Sequence, residues 1–113
     1  MCSQSELNIL MKRITEIYQQ VYGKDIVKIV LYGSYARGTH DAESDIDVVA
    51  IVRGCRAELQ KKLREVWEFT SELELEYETV LSLTVIPFEE YEEYRDVLPY
   101  YRNIEREGVS IVA

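Results

Sequence analysis

Residues Leu31 to Val49 read LYGSYARGTHDAESDIDVV. An apolar run, Ile26 to Tyr32, leads directly into Gly33-Ser34, and a second apolar run opens with Asp45 and Asp47 alternating with Ile46 and Val48. In a strand, side chains two residues apart share a face, with Cα atoms about 6.5 Å apart. Asp45 and Asp47 therefore stand side by side, while Ile46 and Val48 point the other way. Two such carboxylates repel each other and lose hydration together. An oxygen-preferring divalent cation such as Mg²⁺ relieves both costs, and it is commonly shared between one or two carboxylates and phosphate oxygens. Gly33-Ser34 supplies the complement: a glycine at a strand-to-helix turn lets backbone N–H groups approach an anion, and the serine adds a hydroxyl. Arg37 and Gly38 close what reads as a single helical turn, where Arg37 braces the loop or touches a phosphate. Taken singly, the glycine pair is a helix cap and the aspartates are a charged strand edge. Together, and in this order, they point to a site that handles phosphates.

The same residues carry a resemblance. Gly33-Ser34, a spacer, Arg37-Gly38, a loop, then Ser44-Asp45-Ile46-Asp47 resembles the signature of the DNA polymerase beta-type nucleotidyltransferase superfamily, and more narrowly that of the minimal nucleotidyltransferases of prokaryotes. The match is close over about residues 26–52 and looser elsewhere. The resemblance implies Mg²⁺-dependent transfer of a nucleoside monophosphate, AMP from ATP foremost, from an NTP to an acceptor hydroxyl with release of pyrophosphate. Asp45 and Asp47 would be the catalytic, metal-binding pair. Gly33, Ser34 and Ser44 would hold the nucleotide, with Arg37 supporting. Drug- and RNA-modifying members carry extra domains that bind the acceptor, and this chain shows none. The resemblance therefore implies an acceptor on a partner protein, typically a HEPN-domain toxin that the nucleotidyltransferase, acting as antitoxin, adenylylates on a tyrosine. Two alternatives stand beside this: a catalytically weakened module that acts by binding nucleotide or partner, and a nucleotidyltransferase for small molecules such as antibiotics.

Composition narrows the field. The chain has 113 residues, which suggests one domain over 1–113 with no room for a second core. Its formal net charge is −8. Nonspecific nucleic-acid binders rely on a basic footprint, so direct nucleic-acid binding is not expected. The two cysteines, Cys2 and Cys55, lack metal-ligand spacing and read as reduced thiols. Neither a signal peptide nor a long apolar run is visible, which sets the expectation of a cytoplasmic protein away from membranes.

The rest of the chain reads as scaffold. Residues 3–22 form a helix, with Ser3 and Glu6 as a capping box, a stripe of Leu7, Leu10, Met11, Ile14, Ile17 and Val21, and Gly23 as the stop. Residues 26–32 and 46–52 are strands, the first apolar on both faces except at Lys28, as suits a central position. His40, the one histidine, sits in the polar loop between them and reads as solvated. Residues 56–74 form a second helix with Leu59, Leu63, Val66, Trp67, Thr70 and Leu73 on its apolar stripe. Its short run of Lys61, Lys62 and Arg64 reads as a solvated face. Beyond the third strand, residues 88–95 and 100–107 are helical, and 109–112 is a short strand. Of the nine tyrosines, Tyr91, Tyr94, Tyr100 and Tyr101 gather near the end, either packing at the domain edge or forming a partner surface.

The third strand, 78–86, is where the resemblance thins. The superfamily usually places a third carboxylate here, facing the aspartate pair, to complete the metal site or accept the proton of the attacking hydroxyl. Leu81, Leu83 and Val85 make one face, and Val80, Ser82 and Thr84 the other. The expected position falls at Thr84 or Ser82, and neither ionises usefully. Glu78 shares the face but lies about 20 Å from Thr84 along an extended strand. The expected architecture is an α+β domain: a small mixed sheet with helices packed on one side, like the palm-type core of the superfamily.

Overall fold

A computed structural model describes residues 4–33 and 45–112. Helix α1 spans Gln4–Tyr22, followed by a 3-10 turn, Gly23–Asp25. Strand β1 is Ile26–Tyr32, β2 is Ile46–Val52, α2 is Arg56–Tyr77, β3 is Leu81–Pro87, α3 is Phe88–Tyr94, α4 is Pro99–Glu107 and β4 is Val109–Val112. The strands form one mixed sheet in the order β3-β2-β1-β4. β1 runs antiparallel to β2 and to β4, whereas β2 and β3 are parallel. A parallel pair needs a long crossover, and α2 supplies it.

β2 is buried at every position but Asp47, as its nearly unbroken apolar sequence requires of an interior strand. Its two faces feed two separate clusters. Ile46, Val48, Ala50 and Val52 join Ile29, Leu31, Leu83 and Val85 beneath α1 and α2. Val49 and Ile51 join Val30, Ile86, Tyr91, Tyr101 and Ile104 on the opposite face. The mixed sheet and the α+β class are as expected. Packing on one side describes the two long helices; the short α3 and α4 cover the other face, because Val30, Val49 and Ile51 need burial there as well.

In α1, Leu7, Leu10, Met11 and Ile14 are buried as their spacing demands. Further along, the deepest positions belong to Tyr18 and Tyr22, with Ile17 and Val21 only partly buried. Each tyrosine buries its ring and satisfies its hydroxyl on a backbone carbonyl, Tyr18 on Thr84 at 2.9 Å and Tyr22 on Leu59 at 2.7 Å. The expected capping box includes Ser3, which lies outside the described residues.

The boundary between α2 and β3 differs from the sequence expectation. The helix continues to Tyr77 and closes on Glu78, whose φ of 50° is left-handed and whose N–H reaches the Glu74 carbonyl. The strand therefore begins at Leu81, and Glu78 is a helix cap. The Glu74 carboxylate then accepts the Leu81 N–H at 3.1 Å. Two more α2 side chains cover the same outer edge of β3: Trp67 Nε1 donates to the Leu83 carbonyl at 3.0 Å and Gln60 Nε2 to the Val85 carbonyl at 3.4 Å. Gln60, Trp67 and Glu74 recur every seven residues, so one stripe of the helix lines a strand edge that would otherwise carry unpaired backbone groups. Trp67, expected in the apolar stripe, is instead half-exposed in this role.

The short helices are tied down by polar contacts. Arg56 forms a bidentate pair with Glu90 at 2.7 Å, and Tyr101 donates to the same carboxylate at 2.9 Å. Glu105 receives the Tyr91 hydroxyl and pairs with Lys28. Gly108 closes α4 in a place too tight for a side chain: a Cβ there would collide with Val30 Cγ1 and lie 2.5 Å from the Ile104 carbonyl oxygen.

Candidate functional site

The site lies where β1 ends, β2 begins and β3 passes alongside. Ile46 and Val48 point into the cluster beneath the long helices, so alternation turns Asp47 to the face carrying Val49 and Ile51. Asp45 immediately precedes the strand and is exposed. Across the antiparallel ladder Asp47 opposes Tyr32, the last residue of β1, and across the parallel ladder it neighbours Ser82.

Gly33 comes next after Tyr32, with φ of 78°. That left-handed geometry favours glycine. The space is tight as well: a Cβ at Gly33 would stand 2.5 Å from Asp47 Oδ2, so the carboxylate would have to turn aside. The chain turns off β1 with its backbone against the Asp47 carboxylate. Ser34, Arg37 and Ser44, expected to hold the nucleotide, lie outside the described residues, as does His40.

Burial raises the Asp47 carboxyl above the ordinary carboxylate range, and the negative charge of Asp45 raises it further; a hydrogen bond with the Ser82 side chain works in the opposite direction. Among the described residues, no salt bridge reaches either aspartate. Nor does any group of three or more His, Cys, Asp or Glu side chains gather there to hold a metal. Among the described residues the donor set is therefore two adjacent carboxylates, one half-buried and raised by burial and by its neighbour. This suits a hard divalent cation that takes its remaining ligands from water and phosphate. Ser82 and Thr84 occupy the face expected to carry a third carboxylate, alternating with the buried Leu83 and Val85.

Tyr32, which sequence reasoning did not place at the site, borders it, and Tyr100 packs against Tyr32. The Tyr32 hydroxyl lies 2.8 Å from that of Tyr100 on α4, and the rings meet edge to face at 5.9 Å. Burial, followed by the neighbouring Tyr100, pushes the Tyr32 hydroxyl well above the ordinary tyrosine range. The signal for Tyr32 was its position, one residue before Gly33. The signal for Tyr100 was only its membership in the terminal tyrosine group. Of the rest of that group, Tyr91 and Tyr101 are core and Tyr94 remains partly exposed.

The nucleotidyltransferase domain family matches residues 11–110, and the chain belongs to that family. Over 63 residues it is 35% identical to the candidate protein adenylyltransferase MJ1305 of Methanocaldococcus jannaschii, a match covering 53% of this chain and 43% of that protein. Over 55 residues it is 34% identical to a second candidate protein adenylyltransferase of the same organism, MJ0141, covering 49% of this chain and 54% of that one. The chain thus matches about half the length of these curated relatives. Among solved structures, a candidate minimal nucleotidyltransferase aligns over 97% of this chain and all of its own, with a TM-score of 0.55 at 19% identity. A toxin–antitoxin crystal structure with AMP-PNP aligns over 90% of this chain and 69% of its own, with a TM-score of 0.52 at 15% identity. At those identities the likeness is one of fold. No helix among the described residues is long and apolar enough to cross a membrane.

Proposed function

We propose that this protein transfers a nucleoside monophosphate, AMP from ATP foremost, to a hydroxyl on a partner protein, and that it serves as the antitoxin of a pair with a HEPN-type toxin. The observation that carries the reading is the packing of the Gly33 turn against Asp47, with Asp45 alongside. Asp45 and Asp47 would hold Mg²⁺, which supplies charge neutralisation for the phosphates when bound. The Gly33 turn would bring backbone N–H groups toward the triphosphate, with Ser34, Ser44 and Arg37 completing the cradle. The names of the two archaeal relatives support adenylyl transfer to protein, and the toxin–antitoxin neighbour with AMP-PNP supports both a nucleotide and a partner.

The test is transfer of α-labelled AMP to a co-expressed or genomically adjacent partner, with and without Mg²⁺. Wild type should label the partner, and the double variant Asp45→Asn with Asp47→Asn should not. Equal labelling by both would show that the aspartates are not the site.

Ser82 favours a second reading, a module that neutralises its partner by contact with little or no chemistry. The neighbour of Asp47 on β3 carries a hydroxyl where a base would serve. On this reading the double aspartate variant still protects cells from the partner; loss of protection by a variant that folds and binds would exclude it.

A further inference from the structure

We infer that Tyr100 is itself an acceptor, so that the protein transfers a nucleoside monophosphate from a nucleoside triphosphate to the Tyr100 hydroxyl of its own chain. The inference rests on the transferase reading above and adds to it a modification site on the protein.

Most of the described tyrosine hydroxyls are engaged elsewhere. Tyr18 and Tyr22 spend theirs on the Thr84 and Leu59 carbonyls under the long helices. Tyr91 and Tyr101 bond the Glu105 and Glu90 carboxylates. Tyr77 lies on α2 beside Arg13, also on the long-helix side. Tyr94 ends α3, and no described contact links it to the strand ends. Tyr32 is half-buried between Asp47 and Tyr100. Tyr100 alone among the described tyrosines is both exposed, at 45%, and in hydroxyl contact with the residue that opposes Asp47.

Its position is also fixed. Pro99 starts α4 at the residue before it. The Tyr100 ring is wedged edge-on between Tyr32, at 5.9 Å and 84°, and Tyr101, at 5.7 Å and 62°. A nucleophile already held against the residue that opposes Asp47 avoids the entropy cost of bringing an acceptor from solution. In the step, the phenolic oxygen of Tyr100 forms a bond to the α-phosphorus. The bond from that phosphorus to the bridging oxygen breaks, pyrophosphate leaves with the electron pair, and the phenolic proton passes to water. The product replaces the Tyr32–Tyr100 hydroxyl contact with a phosphodiester.

The experiment incubates the full chain with Mg²⁺ and ATP, follows intact mass, and maps the modified peptide. N-acetyl-tyrosinamide is present as a surrogate acceptor. One nucleotide per chain, on Tyr100, is expected. Tyr100→Phe should lose the label while staying folded, with no more than the small melting loss of its Tyr32 hydrogen bond, and still bind Mg-ATP by calorimetry; Tyr101→Phe should keep the label. Modification at Tyr35 or any other residue in place of Tyr100 overturns the inference. Labelled surrogate with unlabelled protein overturns it too, while leaving the transferase reading intact. No labelled product of either kind counts against both.

Discussion

Gly33 and Asp47 are locked together: the one position where β1 turns left-handed is also the one where a side chain would strike the Asp47 carboxylate, 2.5 Å from Oδ2. Gly33→Ala therefore combines two costs. The left-handed backbone disfavours any L side chain by about 1–2 kcal/mol, and the carboxylate must move. Denaturant melting should show a loss of at least that size. Mg-ATP affinity, read by calorimetry, should fall further than the melting shift alone explains, because the displaced group is the proposed metal ligand.

Asp47 is held above its unfolded pKa by burial and by Asp45. A group raised on folding favours the fold while protonated; that contribution is full below the unfolded pKa and disappears as pH rises through the folded one. Ionising Asp47 therefore costs the free protein stability. Asp47→Asn should raise the apo Tm at pH 7, and the gain should shrink in acid. Mg²⁺ with ATP should stabilise wild type and leave the variant unmoved. A variant that melts lower than wild type at pH 7 would contradict the strain assigned to this carboxylate.

Ser82 neighbours Asp47 on β3. Ser82→Asp would add a third carboxylate to the face. It should lower apo stability through like-charge repulsion and raise Mg²⁺ affinity. If chemistry is limited by the missing base, transfer should also accelerate, up to the about 10²- to 10⁴-fold that such a base contributes. Ser82→Ala removes the hydrogen bond that lowers the Asp47 carboxyl. The Asp47 pKa, followed by carbon NMR of the carboxyl, should then rise further.

Trp67 donates to the Leu83 carbonyl from a half-exposed ring. Trp67→Phe keeps a ring and loses the donor, so the expected cost is about 1 kcal/mol with little change in nucleotide binding. Trp67→Ala also uncovers the strand edge, and light scattering at raised concentration should show more self-association than for Trp67→Phe.

β1 and β2 were legible to the residue because each is an apolar run ended by a glycine, an aspartate or a charge. The α2–β3 boundary was not. Glu74, Glu76 and Glu78 alternate with Leu75 and Tyr77 in a pattern that suits a strand as well as a helix end, and the deciding event, Glu78 turning left-handed, leaves no mark in composition. Trp67 looked like core because helical spacing assigns a face but cannot show that a neighbouring strand edge competes for the ring. Asp45, Asp47 and Gly33 could be singled out from local spacing alone. Tyr32 and Tyr100 could not be paired, since 68 residues separate them and only the return of α4 across the sheet brings them together.

The division of the core into two clusters gives the molecule two stabilities. The cluster under α1 and α2 holds the greater part of the buried aliphatic side chains; the opposite one is small and fastened at its rim by Arg56–Glu90 and Lys28–Glu105. Amide protons of α3 and α4 should accordingly exchange through a partial opening, long before those of β1 and β2, which exchange only with global unfolding. The two aspartates sit on the face that opens. Their surroundings would loosen while the sheet that carries them stays folded.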